Sequence, residues 1–203
     1  ITNTDPNGRQ VNSNGSPFIK LFSQFGKVDY SYDDRYLFTG TLRRDGASVF
    51  GEDNRYGIFP AFSAGWRITQ ENFMQNTKWI NELKIRGGWG KMGNSRISPN
   101  NLFNTAGEQV LFGYDLGGAN TSTSPGLALT GIGNPTAKWE ENTTINVGFD
   151  GTFFNNKIDV IFDWYTRRTK DLLYRDRLPA TVGNATPPFI NIGSMKNSGI
   201  DLM

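Results

Sequence analysis

The chain contains neither cysteine nor histidine. Without cysteine there are no disulfides, thiolate nucleophiles or thiolate metal sites. Without histidine the commonest metal ligand and the commonest general base are also gone; carboxylate-based catalysis stays open. Uninterrupted apolar runs cover only a few residues, far short of the roughly 20 that a transmembrane helix requires. Strand-crossing barrels escape that test, because each of their spans alternates and needs only about 10 residues. A surplus of charge is missing too. The 21 basic and 19 acidic residues are interspersed and leave a net +2, which argues against a nucleic-acid footprint. The opening ITNTDPNGRQVNSNGSP is polar and turn-rich with no initiating methionine, and the closing SGIDLM alternates and stops abruptly. Both ends are those expected of a piece of something longer.

What the chain does have is aromatic groups (13%), 24 glycines and period-two alternation. Residues 1–17 read as a polar loop or linker. A strand-like run begins at Phe18, and Tyr36–Arg44 restarts after the tight turn Asp33-Asp34-Arg35, with Tyr36, Phe38, Gly40 and Leu42 on one face; the pair reads as a hairpin. Phe62, Ala64, Trp66 and Ile68 share a face in the next run, with Pro60 near its beginning because it cannot donate to a ladder. The segment 69–76 reads as a short helix or turn, with Thr69 as a cap and Glu71 as early negative charge. Leu83, Ile85, Gly87 and Trp89 alternate with Lys84, Arg86 and Gly88. The clearest pair comes last: Ile145, Val147, Phe149, Gly151 and Phe153, then an FNNK turn, then Ile158, Val160, Phe162 and Trp164. Residues 93–137 are the least periodic, with short strands expected at 108–116 and 127–132. With no long helix available, the fold class is all-β and antiparallel.

Alternation alone does not choose a solvent for the apolar face. In a soluble sandwich that face meets a second sheet in a dry core; in a transmembrane barrel it meets lipid while the polar face lines a lumen. Short turns alternating with long loops, and Tyr and Trp near strand ends, favour the barrel, but sandwiches also contain long strands and Trp, and both readings stay open. If these six or seven strands span a membrane, neighbours missing from this chain must supply the edges, since a small closed barrel needs at least eight.

Five stretches then carry a resemblance: YSYDDRYLFTGTLRRDGASVFGEDNRYGIFPAFSAGWRI (30–68), FMQNTKWINELKIRGGWGKMGN (73–94), NPTAKWEENTTINVGFD (134–150), FFNNKIDVIFDWYTRRTKDLLY (153–174) and NIGSMKNSGIDL (191–202). In this order they resemble the C-terminal half of the barrel of SusC/RagA-type TonB-linked outer-membrane transporters of Bacteroidota. The resemblance implies an arc, residues 18–203, of a transmembrane barrel of about 22 strands. Plug, remaining wall and the segment that meets TonB lie outside this chain. It also implies import of oligosaccharides or peptides, a SusD-like surface lipoprotein as lid, contact with outer-membrane lipid, and no chemistry on the cargo. Segments 44–55, 93–137 and 171–194 are then expected to be extracellular loops, and YSYDDRY, the ENFMQNTKW region and FFNNK periplasmic turns. The alternative is a secreted or surface β-sheet glycan-binding module.

No catalytic residue, cofactor or metal site is expected. Asp150, Asp159 and Asp163 lie on the polar face of a wall, without the pocket that glycoside hydrolysis needs. GGWGKMG at 87–93 has the wrong spacing for a phosphate loop. Arg43, Arg44, Asp45, Asp53 and Trp139 are candidates for a substrate- or lid-facing surface. A solvated charged loop or a salt-bridged strand end is the preferred reading of the four charges, and an interface-belt ring that of the tryptophan. Tyr30, Tyr32, Tyr36, Trp66 and Trp164 are candidates for the membrane-interface belt. Arg167, Arg168 and Lys170 read as a polar rim beyond the aromatic end of their strand.

Overall fold

The computed structural model describes residues 18–114 and 124–203; the linker expected at 1–17 and the end of the strand expected at 108–116 lie outside them. Seven strands form one antiparallel sheet: β1 (Leu21–Tyr32), β2 (Tyr36–Ala47), β3 (Tyr56–Arg67), β4 (Ile80–Asn94), β7 (Glu140–Phe153), β8 (Ile158–Lys170) and β11 (Ser194–Leu202), paired in that order. Two small hairpins interrupt the meander. β5 (Thr105–Tyr114) pairs with β6 (Ser124–Gly131) between β4 and β7, and β9 (Leu173–Arg175) pairs with β10 (Phe189–Asn191) between β8 and β11. The sheet is open: β1 and β11 are its two edges.

Both strand length and turn chemistry follow from the sequence. The strands from β1 to β8 in the main sheet run 12–15 residues, more than the roughly 9–11 that cross a bilayer at a tilt. Tight connections close one end. Asp33 and Asp34 both take positive φ, the conformation that a right-twisted hairpin wants at its tip. Phe154, Asn155 and Asn156 do the same between β7 and β8, with Phe154 held by its N–H to the Trp79 carbonyl. The segment expected as helix or turn at 69–76 holds two 3-10 turns, Ile68–Gln70 and Asn72–Met74, without a side-chain cap from Thr69. At the other end the connections are long, and β2 continues to Ala47, three residues beyond the expected strand end at Arg44.

The register aligns the alternation of seven strands into rows. One row reads Tyr30, Phe38, Ala64, Gly87, Val147, Trp164, Ile200 from β1 to β11. The next, towards the tight turns, reads Tyr32, Tyr36, Trp66, Ile85, Phe149, Phe162, Leu202. Every member of both rows is apolar or aromatic. The opposite face carries rows such as Asp29, Thr39, Ser63, Gly88, Asn146, Tyr165 and Gly199.

Buried packing lies elsewhere. Ala47, Val49, Phe50, Phe59, Ile97, Ala137 and Trp139 form a cluster at the long-loop end, with Leu173 and Phe189 against it. The β3–β4 ladder stops at Ala61 and Gly90 although both strands continue. Beyond that point the Phe59 ring takes up the room left by Gly57 and Gly93, at either of which a Cβ would collide with it.

Candidate functional site

The apolar face is a solvent-type boundary with no cover. Phe22, Val28, Phe38, Phe62, Val147 and Ile200 are all exposed on this face, and no second sheet lies over the band among the described residues. Apolar patches of monomeric soluble proteins rarely exceed a few hundred Å², whereas this one crosses seven strands. Ring pairs knit it laterally: Phe62 with Trp89 at 5.0 Å and Phe149 with Phe162 at 5.6 Å.

At the tight-turn end the band finishes in Tyr32, Tyr36 and Trp66, whose neighbouring rings lie 6.4 Å apart. Glu71 sits beneath them. Its Oε1 accepts from the Tyr36 hydroxyl at 2.7 Å and from the Trp66 indole N–H at 3.0 Å, and Oε2 faces Arg35 at 3.4 Å. The Tyr36 hydrogen bond first, then that of Trp66, hold the Glu71 carboxyl below the ordinary glutamate range. Tyr30 lies one row further in. Trp164 is at mid-strand, six positions from either end of β8, between Val147 and Ile200.

The polar face is built on charge pairing. Arg86 on β4 grips Asp163 on β8 with both terminal nitrogens, at 2.8 and 2.7 Å, and turns Nε to Asp150 on β7 at 3.1 Å. The guanidinium can cross β7 because its register partner there is Gly148, where a Cβ would strike the Asp163 carboxylate and the Phe162 carbonyl. Asp159 accepts from Thr152 at 2.8 Å. The three aspartates expected as wall groups are thus hydrogen-bonded or ion-paired across the sheet. A shallow recess of about 300 Å³ opens beside Arg86 over Ser63, Gly65 and Gly88.

The remaining candidates scatter at the long-loop end. Arg43 donates Nε to Asp45 at 2.7 Å on the polar face, and Asp45 is buried. Arg44 points to the other face, its guanidinium 4.2 Å over the Tyr56 ring. Asp53 is exposed in the 3-10 turn Glu52–Asn54. Trp139 is neither a free ring nor an interface ring in this structure. It is 9% exposed, lies 5.2 Å from Phe50 and 5.4 Å from Phe59, and directs its N–H towards the Arg55 carbonyl at 3.3 Å. No local sequence signal reveals this, because its two aromatic partners come from a loop and from β3.

Three asparagines that sequence reasoning passed over tie the loops together. Asn101, 3% exposed, pairs both ends of its amide with the Phe189 backbone. Asn134 donates to the same carbonyl at 2.9 Å, and Asn191 bonds both backbone groups of Lys138 at 2.8 Å. Thr186 bridges the Thr130–Ile132 backbone. Side-chain amides replace a ladder where the segments are too short to make one. Between them lies a polar recess of about 350 Å³, lined in part by Ser98, Asn100, Thr105 and Arg175.

With the two faces defined, similarity to known proteins decides the assignment. The whole chain, residues 1–203, matches the family described as TonB dependent receptor-like, beta-barrel. The chain belongs to the TonB-dependent receptors, and within them to the SusC/RagA type. TonB-dependent receptor SusC of Bacteroides thetaiotaomicron is 38% identical over 187 residues, covering 89% of this chain and 18% of that protein. TonB-dependent receptor P26 of Formosa agariphila is 35% identical over 199 residues, 98% of this chain and 19% of that protein. Among solved structures, the RagAB peptide transporter superposes with a TM-score of 0.78 at 29% identity, over 91% of this chain and 19% of that chain. The chain therefore spans about a fifth of the length of these relatives. As a segment of such a barrel it belongs to the outer membrane. The uncovered band is the lipid-facing side of that wall and the Arg86 face its interior.

Proposed function

We propose that this chain is a wall segment of a TonB-dependent active transporter that imports oligosaccharides or peptides beneath a SusD-like lipoprotein lid. The observation that carries the reading is the in-register apolar band across seven strands, backed by a charged and hydroxylated opposite face. Likeness to SusC and to the RagAB peptide transporter supports the cargo class and the lid. Movement of cargo belongs to the complete protein, in which TonB acts on a plug and further strands cover the edges of β1 and β11, since unpaired backbone does not face hydrocarbon. A secreted glycan-binding module would need a second layer over the band.

The long connections at 44–55, 93–137 and 171–194 lie outside the cell in this reading, and the tight turns lie in the periplasm. Arg43, Arg44 and Asp53 are then rim groups near lid or cargo, and Tyr30, Tyr32, Tyr36 and Trp66 form the periplasmic belt. The test is made in the full-length transporter. Deleting 95–133 is expected to impair cargo uptake or retention of the lid lipoprotein while the barrel still assembles. Unchanged values of both would remove the loops from the mechanism, and uptake independent of TonB would overturn the transporter reading.

A further inference from the structure

The lipid-facing side of β8 and β11 changes character in steps. From the tight-turn end, the cross-strand pairs are Phe162 with Leu202, Trp164 with Ile200, Thr166 with Ser198, then Arg168 with Lys196, and Lys170 with Ser194. Same-face residues follow each other about every 6.6 Å along a strand. Acyl-like groups therefore give way first to hydroxyls, joined at 2.8 Å between Thr166 and Ser198, and then to cations. Arg168, Lys170 and Lys196 are exposed, and none has a carboxylate within ion-pair distance among the described residues. Glu141, the register neighbour of Lys170, is occupied by Lys91 at 3.0 Å. Like charges placed directly opposite across a ladder repel. At the tight-turn end the strands of the same face carry Tyr32, Tyr36 and Trp66 and no such cations among the described residues.

We propose that Arg168, Lys170 and Lys196 bind the phosphorylated headgroup of an outer-leaflet glycolipid whose acyl chains lie on Trp164, Phe162, Ile200 and Leu202. The order of groups along the two strands is that of such a lipid: chain, sugar hydroxyls, phosphomonoester. An anion between Arg168 and Lys196 turns their repulsion into a shared attraction, and each cation near an anionic surface adds to it. Lys91 with Glu141 contributes no net charge, and Arg44 on the same face lies over Tyr56 beside β2, so the adjacent cations are those of the β8–β11 pair. The inference rests on the lipid-facing assignment of the band and on the long loops lying outside the cell.

The experiment uses the full-length transporter in bilayers of neutral lipid doped with a phosphorylated lipid A-type glycolipid or with its dephosphorylated form. Bound glycolipid is counted by native mass spectrometry. The unaltered protein is expected to retain the phosphorylated form preferentially, and R168Q/K170Q/K196Q to lose at least about tenfold of that retention. The charge-keeping exchange R168K/K196R retains it. A second readout is independent of retention. K196Q should raise the unfolding midpoint in neutral detergent, where only the repulsion is removed, and lower it in the phosphoglycolipid bilayer. Equal retention in the triple variant, equal retention of the dephosphorylated lipid, or displacement by inorganic phosphate at matched concentration would overturn the lipid assignment. Asp53→Cys, probed in intact cells with a membrane-impermeant maleimide, separates the causes. Absence of label refutes the orientation itself, whereas labelling combined with unchanged lipid retention refutes only the headgroup site.

Discussion

Arg86 and Gly148 act as one device, a long cation and the gap it crosses. Replacing Arg86 with Met leaves Asp150 and Asp163 facing each other without the guanidinium. Loss of these charge-assisted bonds is expected to cost about 1–3 kcal/mol, read as a lower urea midpoint for the full-length barrel. Gly148→Ala should cost a similar amount, about 1–3 kcal/mol for overpacking against backbone, even though it removes no charge; an unchanged midpoint would show that the crossing tolerates a methyl group. Glu71 gives a pH signature instead. Its folded carboxyl titrates below its unfolded value, so its contribution is present above the ordinary glutamate range. That contribution is lost as pH falls through the lower, folded value. Glu71→Gln should abolish that acid-side slope in hydrogen exchange of the 68–77 turn, and persistence of the slope would assign it to another group.

At the scale of elements, the strands differ in how openly the sequence announces them. β8 begins at Ile158 as expected, because Ile158, Val160, Phe162 and Trp164 alternate with polar groups. β7 begins at Glu140, where the sequence places a strand start, but the alternation shows only from Ile145, because Glu140–Thr144 is polar on both faces and carries no period. β9 and β10, three residues each, are too short to show any period. The loop platform was illegible for a different reason: Asn101, Asn134 and Asn191 look like ordinary turn residues until Phe189 and Lys138 are brought beside them. Asn101→Ala leaves the Phe189 N–H without its side-chain acceptor and the Phe189 carbonyl with Asn134 alone. It is expected to cost about 1–3 kcal/mol locally, seen as faster amide exchange at 186–191 with no change in the band. Uniform exchange changes across β7 and β8 would contradict a local role.

For the molecule as a whole, the face that meets lipid was visible as alternation, but its continuity was not. Only the register shows that Tyr30, Phe38, Val147, Trp164 and Ile200 lie in one row. The row also makes sensitivity depend on depth. Trp164→Lys, at mid-strand, should cost about 2–4 kcal/mol, whereas Tyr32→Lys at the rim should cost about 0–1 kcal/mol. Folded and unfolded barrel resolved on semi-native gels would report the difference, and equal effects would argue against a bilayer centred on that row.

The asparagine ties also set an order of events. Asn101 and Asn134 lie between β4 and β7, whereas Phe189 lies between β8 and β11. The partners are about 55 and 88 residues apart along the chain, and the closure entropy of such loops is costly until the intervening strands pair. The cap of loops therefore locks together only after β7, β8 and β11 stand side by side, which makes the long-loop end of this arc the last to acquire its shape.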